Sequence, residues 1–317
     1  MKYYNILYIS LIFFHTLACE NLMIIVKTTV NTYSMKDIIV PLDFSTDALK
    51  GLELALLIAR HKPVKIQMVY VQRNTDVPSI AEEEFRTAEK KFKKLIEVYG
   101  EQIPAESQLA YIIKKGKVYQ EIVGQAQAFP DSLIVASTHG ASGFEELFIG
   151  SNAYRIMAAT TRPIITIRQL PVPEKITKII LPIDVVVESR QKVLYTAFLA
   201  QVFGAEIHVA TVATSKSKKI ESRLNAYSAQ VCNYLKSKDV PFKTVSLFGD
   251  SLTGQVFEYA EKVKAELISI INESGEGITD LIINGEAQQM ISKSPIPVLT
   301  IRAKSHFIKE SFSTFGG

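Results

Sequence analysis

Short runs of apolar residues alternate along the chain with longer segments whose apolar positions recur at helical spacing. Residues 37–42 and 65–71 are typical of strands, and the leucines between them have the spacing of a buried helix, with Ser45 as its candidate N-cap. An amphipathic segment at 80–99, rich in Glu and Lys, continues the alternation, followed by a strand-like and a helical segment. Strands that alternate with helices predict a parallel sheet covered by helices on both faces.

Residues 133–168 combine a strand, a glycine-bearing loop and a helix start. An apolar run at 133–136 is followed by Gly140, and Gly150 opens a helical pattern that ends before a second apolar run at 164–167. Glycine lets the backbone approach a ligand closely, and the free N–H groups at a helix start favour an anion. The segment predicts an anion site, although a strand–loop–helix connection without a ligand would have the same pattern.

The pattern of the first half recurs in the second half. TKIILPID repeats KDIIVPLD at the start of each half, and IPVLTIR repeats RPIITIR at the end. Gly275 and Gly285 each lie 135 residues after Gly140 and Gly150, so the loop keeps its length. These matches predict a tandem repeat of one α/β domain.

The repeats define the predicted organisation of the chain. The first domain spans residues 35–169, a proline-bearing linker spans 170–176, and a degenerate second domain spans 177–302. Residues 303–317 are polar and are expected to form a flexible tail.

Residues 1–34 lie outside the repeated pattern. An apolar run follows Lys2 and ends before Leu17-Ala18-Cys19, which resembles a secretory signal with a partial lipobox. The run is too short for a comfortable membrane span. Met35 directly precedes the first strand, so we expect translation to start there and the protein to be cytoplasmic. Export is the alternative if residues 1–34 are a true signal.

The composition is that of a globular protein with two domains of ordinary size. The 317 residues are 47% hydrophobic and 21% charged, which is ample for two cores. The net charge of +4 is spread without a basic stripe, so nucleic acid is not indicated as a partner. Cys19 and Cys232 are the two cysteines, and their spacing predicts neither a disulfide framework nor a metal site.

The absence of several motifs argues against some classes of nucleotide-binding and catalytic site. The chain has no G-x-x-x-x-G-K-[ST] loop, no G-x-G-x-x-G turn after the first strand and no G-x-S-x-G elbow. The third strand ends in Lys114-Lys115, where a receiver domain would need an acid. His139 has no identifiable acid–base partner in the loop, so no catalytic residue is predicted.

The loop spacing resembles that of the ATP-binding universal stress proteins, whose pattern is glycine, two residues, glycine, nine residues, glycine, and serine or threonine. Gly140, Gly150 and Ser151 match, and Ser137 stands where the family has its first glycine. The resemblance implies a mainly parallel five-stranded open sheet in each domain, of the adenine-nucleotide alpha hydrolase-like fold. It also implies ATP as the ligand and leaves open whether Mg²⁺ accompanies it.

The resemblance assigns roles to eight residues of the first domain. The aspartate that ends the first strand would meet the adenosine, and the valine that ends the second would contact adenine. The nucleotide would pass the fourth strand, and the glycine loop and the helix start would hold the phosphates. The matching residues are Asp43, Val71, Ala136, Ser137, Gly140, Gly150, Ser151 and Asn152. On the residues alone, helix capping by Asp43 and core packing by Val71 stay open.

The second repeat departs from this pattern at the loop. With the loop glycines aligned, Asn272 takes the position of Ser137 and Glu286 takes that of Ser151. A carboxylate at the helix start would repel a phosphate by about 4 kcal/mol at roughly 4 Å and an effective dielectric of about 20. We therefore expect one ATP per chain, bound by the first repeat.

The resemblance implies a stress-response protein that acts through nucleotide-dependent interaction with an unidentified protein partner. The two domains are expected to form an intramolecular pseudo-dimer through their last strands, and a homodimer of chains stays open. Two alternative functions also stay open. One is a slow ATPase or autophosphorylating protein with Ser151 as acceptor, and the other is a nucleotide-free interaction scaffold, which the serine at position 137 keeps open.

Overall fold

A single ten-stranded sheet is the centre of the computed structural model, which describes residues 34–72, 74–138, 150–272 and 285–303. The first repeat contributes five strands: β1 (Asp37–Pro41), β2 (Lys65–Gln72), β3 (Gln108–Lys115), β4 (Ser132–Ser137) and β5 (Ile164–Ile167). The second contributes β6 (Lys178–Ile183), β7 (Glu206–Ala213), β8 (Phe242–Phe248), β9 (Leu267–Asn272) and β10 (Val298–Arg302). Their order in the sheet is β3-β2-β1-β4-β5-β10-β9-β6-β7-β8.

The strands of each repeat are connected by helices. Those of the first repeat are α1 (Thr46–Ala59), α2 (Pro78–Tyr99), α3 (Val118–Gln127) and α4 (Ser151–Ala159). Those of the second are α5 (Val193–Phe203), α6 (Lys218–Ser237), α7 (Leu252–Val263) and α8 (Gly285–Lys293).

Helices cover both faces of the sheet. On β2, Val69 and Val71 belong to the apolar cluster that contains the buried apolar residues of α3 and α4. Tyr70, between them, points to the other face, where its hydroxyl donates to the carboxylate of Glu84 on α2 at 2.5 Å. Within each repeat the strand pairs are parallel. The predicted α/β fold class is confirmed.

The two repeats meet where β5 pairs with β10, and this pairing is antiparallel. Ile165 lies opposite Leu299, and Ile164 lies opposite Thr300. One apolar cluster continues across the junction and includes Ile134 of the first repeat and Ile268 of the second. The repeats therefore share a core as well as a sheet.

Some predictions fall outside the described ranges or are not tested by them. Residues 1–33 and 304–317 are outside, so the signal-like segment and the tail stay predictions. The domain boundaries at 35–169, 170–176 and 177–302 also stay predictions. None of the helices in the described ranges combines the length and apolarity that a membrane span requires.

A buried histidine on β7 distinguishes the core of the second repeat from that of the first. His208 Nε2 lies 3.0 Å from the Glu206 carboxylate, and Nδ1 lies 2.8 Å from the Tyr259 hydroxyl. Burial lowers the pKa of His208, and the field of Lys243 adds to this, although the hydrogen bond with Glu206 opposes it. A neutral ring fits the geometry, because Nε2 can donate to the carboxylate while Nδ1 accepts from the tyrosine.

The first repeat fills the equivalent position with an amide that does not titrate. Gln67 lies opposite Ile39 on β1, as His208 lies opposite Ile180 on β6. Its side chain donates to Asp37 and accepts from Gln125, both at 2.7 Å. Glutamine can therefore bridge two polar groups at this place in the fold.

We expect His208→Gln to remove a pH-dependent part of the stability. The depressed pKa means that, below the ordinary histidine value of 6.5, the unfolded chain binds a proton that the folded protein does not. Stability should fall as the pH drops below that value and level off below the folded-state pKa. Thermal melts of both proteins between neutral and mildly acidic pH measure this, and identical pH profiles would contradict it.

Candidate functional site

A cavity of about 640 Å³ lies at the carboxyl ends of β1, β2 and β4. The strand order reverses here, because β1 lies between β2 and β4, and open α/β sheets bind ligands at such a reversal. Seven of the eight residues predicted for the site line this cavity: Asp43, Val71, Ala136, Ser137, Gly150, Ser151 and Asn152. Gly140 lies outside the described residues. The fold thus brings together side chains that are more than 100 residues apart, while their role in binding stays a prediction.

The start of α4 supplies hydrogen-bond donors to the cavity. Gly150 is the N-cap residue, with φ −55° and ψ 142°, and its own N–H donates to the Thr138 carbonyl at 2.8 Å. No side chain in the described ranges caps this helix start. The amides of the first turn have no acceptor within the helix, so they are available to an anion.

The carboxylate of Asp43 has a local structural role as well as a place in the cavity wall. Its Oδ1 accepts from the backbone N–H of Ser45 at 3.0 Å and from the Ser45 hydroxyl at 2.5 Å. Ser45 in turn caps α1 by accepting from the Ala48 N–H at 3.1 Å. Asp184 of the second repeat makes a similar turn, accepting from the Val186 N–H at 2.8 Å. The turn alone would explain an aspartate in both repeats, so both interpretations of Asp43 stay open.

The structure adds cavity residues that the sequence did not indicate. Tyr70, Asn74, Thr75, Ile80 and Glu84 line the side of the cavity formed by the end of β2 and the start of α2. Glu84 lies in a charged segment that is typical of a solvated helix face, and its contact with Tyr70 depends on how α2 docks. No local signal could have separated it from its acidic neighbours.

A second, smaller cavity of about 320 Å³ adjoins this side and shares Tyr70, Ile80 and Glu84. Phe44 lines it with φ of 63°, a left-handed conformation that is unusual for a bulky residue. The ring of Phe44 lies 5.2 Å from that of Tyr70, centroid to centroid. Aromatic packing thus accompanies the strained turn that carries Asp43.

The strand pairing corrects the alignment of the two repeats. Ile39 of β1 lies opposite Ile134 of β4, and Ile180, the counterpart of Ile39 in the repeated sequence, lies opposite Ile268 of β9. The corresponding residues Ile134 and Ile268 are 134 positions apart, and not 135 as the loop glycines indicate. Asn272 therefore takes the position of Thr138 instead of that of Ser137.

The helix that follows the loop has the same one-residue correction. Three buried residues of α4 recur 134 positions later in α8: Ala153, Ile156 and Met157 as Ala287, Met290 and Ile291. Gly285 consequently takes the position of Ser151, and Glu286 takes the position of Asn152. The predicted equivalence of Ser151 with Glu286 is wrong, because the glycine alignment was one residue out of register with the packed elements.

Glu286 still places a carboxylate at the helix start. Its Oε2 accepts from the hydroxyl of Thr253, in the first turn of α7, at 3.2 Å. The carboxylate therefore lies beside the starts of two helices, where negative charge is favourable. The second repeat also has a larger side chain near this place, since Ile270 in β9 corresponds to Ala136 in β4. The second repeat thus differs from the first in both charge and shape.

The second repeat also differs from the first at the start of α5. A 3₁₀ turn at Val187–Arg190 precedes this helix, whereas α1 begins directly after its N-cap. Lys192 is only 3% exposed, and its Nζ donates to the Ser189 hydroxyl at 3.1 Å. Buried polar side chains thus lie beside the end of β6, which corresponds to the end of β1 at the cavity of the first repeat.

The comparison with protein families matches the first repeat. The model of the universal stress protein family matches residues 35–168, which hold β1 to β5 and every residue predicted for the site. This first repeat belongs to the universal stress protein family.

Known relatives extend the comparison. A universal stress protein of Methanocaldococcus jannaschii is 27% identical over 157 residues, which cover 46% of this chain and 88% of the relative. The crystal structure of a universal stress protein from Archaeoglobus fulgidus aligns with 84% of this chain and 98% of its own, with a TM-score of 0.67 and 18% identity. A protein of unknown function from Pseudomonas aeruginosa aligns with 86% of this chain and 94% of its own, with a TM-score of 0.57 and 13% identity. These two structures share the fold across both repeats.

Proposed function

We propose that the universal stress protein domain at residues 35–168 binds ATP, and that the protein acts in stress response through nucleotide-dependent interaction with a protein partner. One observation carries the proposal: a cavity at the reversal of the strand order faces the uncapped start of α4. Such an arrangement favours a phosphate beside an apolar compartment.

The lining of the cavity supports a nucleotide over a simple anion. Val71 and Ala136 are buried apolar residues that suit the flat surface of a base. Ser137, Ser151 and Asn152 carry hydroxyl and amide groups suited to phosphate oxygens. A volume of about 640 Å³ is within the range of small-molecule sites.

The described part of the chain holds no ready-made metal site beside this cavity. Within the described ranges no three His, Cys, Asp or Glu side chains cluster to hold a metal ion. Mg²⁺ that arrives with ATP would be held mainly by the phosphates, as is common for this strongly hydrated ion. The cytoplasmic location of the protein stays a prediction from its sequence.

We expect purified protein to retain or take up one ATP per chain without releasing phosphate steadily. Mass spectrometry of the native protein identifies a co-purifying nucleotide, and calorimetric titration gives affinity and stoichiometry. Steady phosphate release, or phosphate incorporated at Ser151, would favour the enzyme instead. Absence of binding to ATP, ADP and AMP would contradict the proposal and leave the interaction scaffold.

A further inference from the structure

The carboxyl end of α4 is held by a residue of the second repeat. The Arg302 guanidinium donates from Nη1 to the Ala158 carbonyl at 3.3 Å. Ala158 belongs to the last turn of α4, and this turn contains no basic residue of its own. A cation at the carboxyl end of a helix is favourable, because the free carbonyls there carry partial negative charge.

The register of the β5–β10 pair explains how Arg302 reaches this carbonyl. Thr300 lies opposite Ile164, the first residue of β5. Because the pairing is antiparallel, β10 continues past the start of β5 along the segment that connects α4 to β5. Arg302, two residues beyond Thr300, therefore lies next to the end of α4.

α3 also begins at the cavity, and its far end is held within its own repeat. Val118, the first residue of α3, lines the cavity. At the far end of α3, the Arg162 guanidinium donates from Nε to Ala126 O at 3.3 Å and from Nη2 to Gln127 O at 3.2 Å. This helix too lacks a basic residue in its last turn. α3 and α4 thus each have a guanidinium at their far end, but only that of α4 comes from the second repeat.

We propose that Arg302 is a positioning residue for the phosphate end of the site, so that the second repeat completes the anion site of the first. The proposal rests on the proposed function. α4 has only nine residues, so a displacement at its carboxyl end moves its first turn as well. The guanidinium also offsets the negative end of the helix dipole, which favours an anion at the opposite end.

The experiment compares Arg302→Gln, Arg302→Lys and Arg155→Gln with the wild type in calorimetric titrations of ATP and adenosine. Arg155 also lies on α4, but its guanidinium is 5.8 Å from the Tyr119 ring centroid. Its replacement removes the same charge from the neighbourhood without releasing the helix end. Adenosine lacks phosphates and reports on the rest of the cavity.

We expect Arg302→Gln to weaken ATP binding about two- to fivefold, from the size of a helix-end charge effect, and to leave adenosine binding unchanged. Arg302→Lys should retain most of the affinity, and Arg155→Gln should match the wild type. Unchanged ATP affinity in Arg302→Gln would overturn the proposal. Equal losses for ATP and adenosine, or an equal loss in Arg155→Gln, would also overturn it.

A measurement without nucleotide separates this proposal from the proposed function. Exchange of the hydrogen-bonded amides of α4, from Tyr154 onward, should be faster in Arg302→Gln than in the wild type, with Arg302→Lys in between. If exchange rises while the wild type binds no ATP, the positioning of the helix holds and the proposed function fails. If the wild type binds ATP and exchange at α4 is unchanged, the positioning role fails alone.

Discussion

Gly150→Asp is expected to abolish ATP binding while leaving the first repeat at least as stable as the wild type. Aspartate is a preferred N-cap residue, and its carboxylate accepts from the first-turn amides that Gly150 leaves without a side-chain cap. The φ of −55° at this position is accessible to any residue, so the backbone should not be strained. The same carboxylate would occupy the place proposed for a phosphate, and binding should weaken by about 100-fold or more.

The stability change and the binding change should therefore have opposite signs. Gly150→Asn is the matched control, because asparagine caps helices about as well as aspartate but carries no charge. It should gain similar stability and lose less affinity. Thermal melts and ATP titrations of the three proteins measure both quantities. An aspartate variant that binds ATP within about threefold of the wild type would show that the start of α4 is not the phosphate site.

Asn152→Glu should have the next largest effect, because it gives the first repeat the residue that the second repeat has at this position. In the second repeat Glu286 lies beside two helix starts. An added carboxylate beside a phosphate costs about 4 kcal/mol at roughly 4 Å and an effective dielectric of about 20. The side chain of Asn152 is exposed, so screening should reduce this, and we expect a loss of about 30- to 100-fold.

Two further variants, one in each repeat, test whether the added charge causes the loss of ATP affinity. Asn152→Gln keeps the amide and should lose little affinity. Glu286→Asn should not create a second site, because Ile270 still replaces the smaller Ala136. ATP stoichiometry decides the matter, with one site per chain expected in the wild type and in Glu286→Asn. Two sites in the wild type would contradict the account of the second repeat.

Much of the fold could be predicted from local patterns, because each strand and helix carries its own periodicity. The alternation of apolar runs and helical segments indicated the parallel sheet, and Ser45 caps α1 as its position indicated. The grouping of Asp43, Val71 and Ser151 around one cavity was predicted from the resemblance, and it agrees with a general property of parallel sheets, whose carboxyl ends meet at one edge.

The part that could not be predicted depends on docking between distant elements. Glu84 reaches the cavity only because α2 packs with this face toward Tyr70. The contact of Arg302 with α4 depends on the exact register of β10 against β5. The error in aligning Glu286 had a visible signal, since IPVLTIR lies 134 residues after RPIITIR while the glycines differ by 135. The strand was the better guide, because packing constrains it more than a loop.

The antiparallel junction of β5 and β10 has a consequence for how such a chain can change over time. In an assembly of identical subunits, every substitution appears on both sides of the interface and in every copy of the site. Here the two sides of the junction are encoded separately and are tethered, so they meet at high effective concentration whatever their sequences. A substitution such as the glutamate at position 286 therefore alters one half alone. One half of such a chain can therefore lose its binding site while it continues to stabilise the other half.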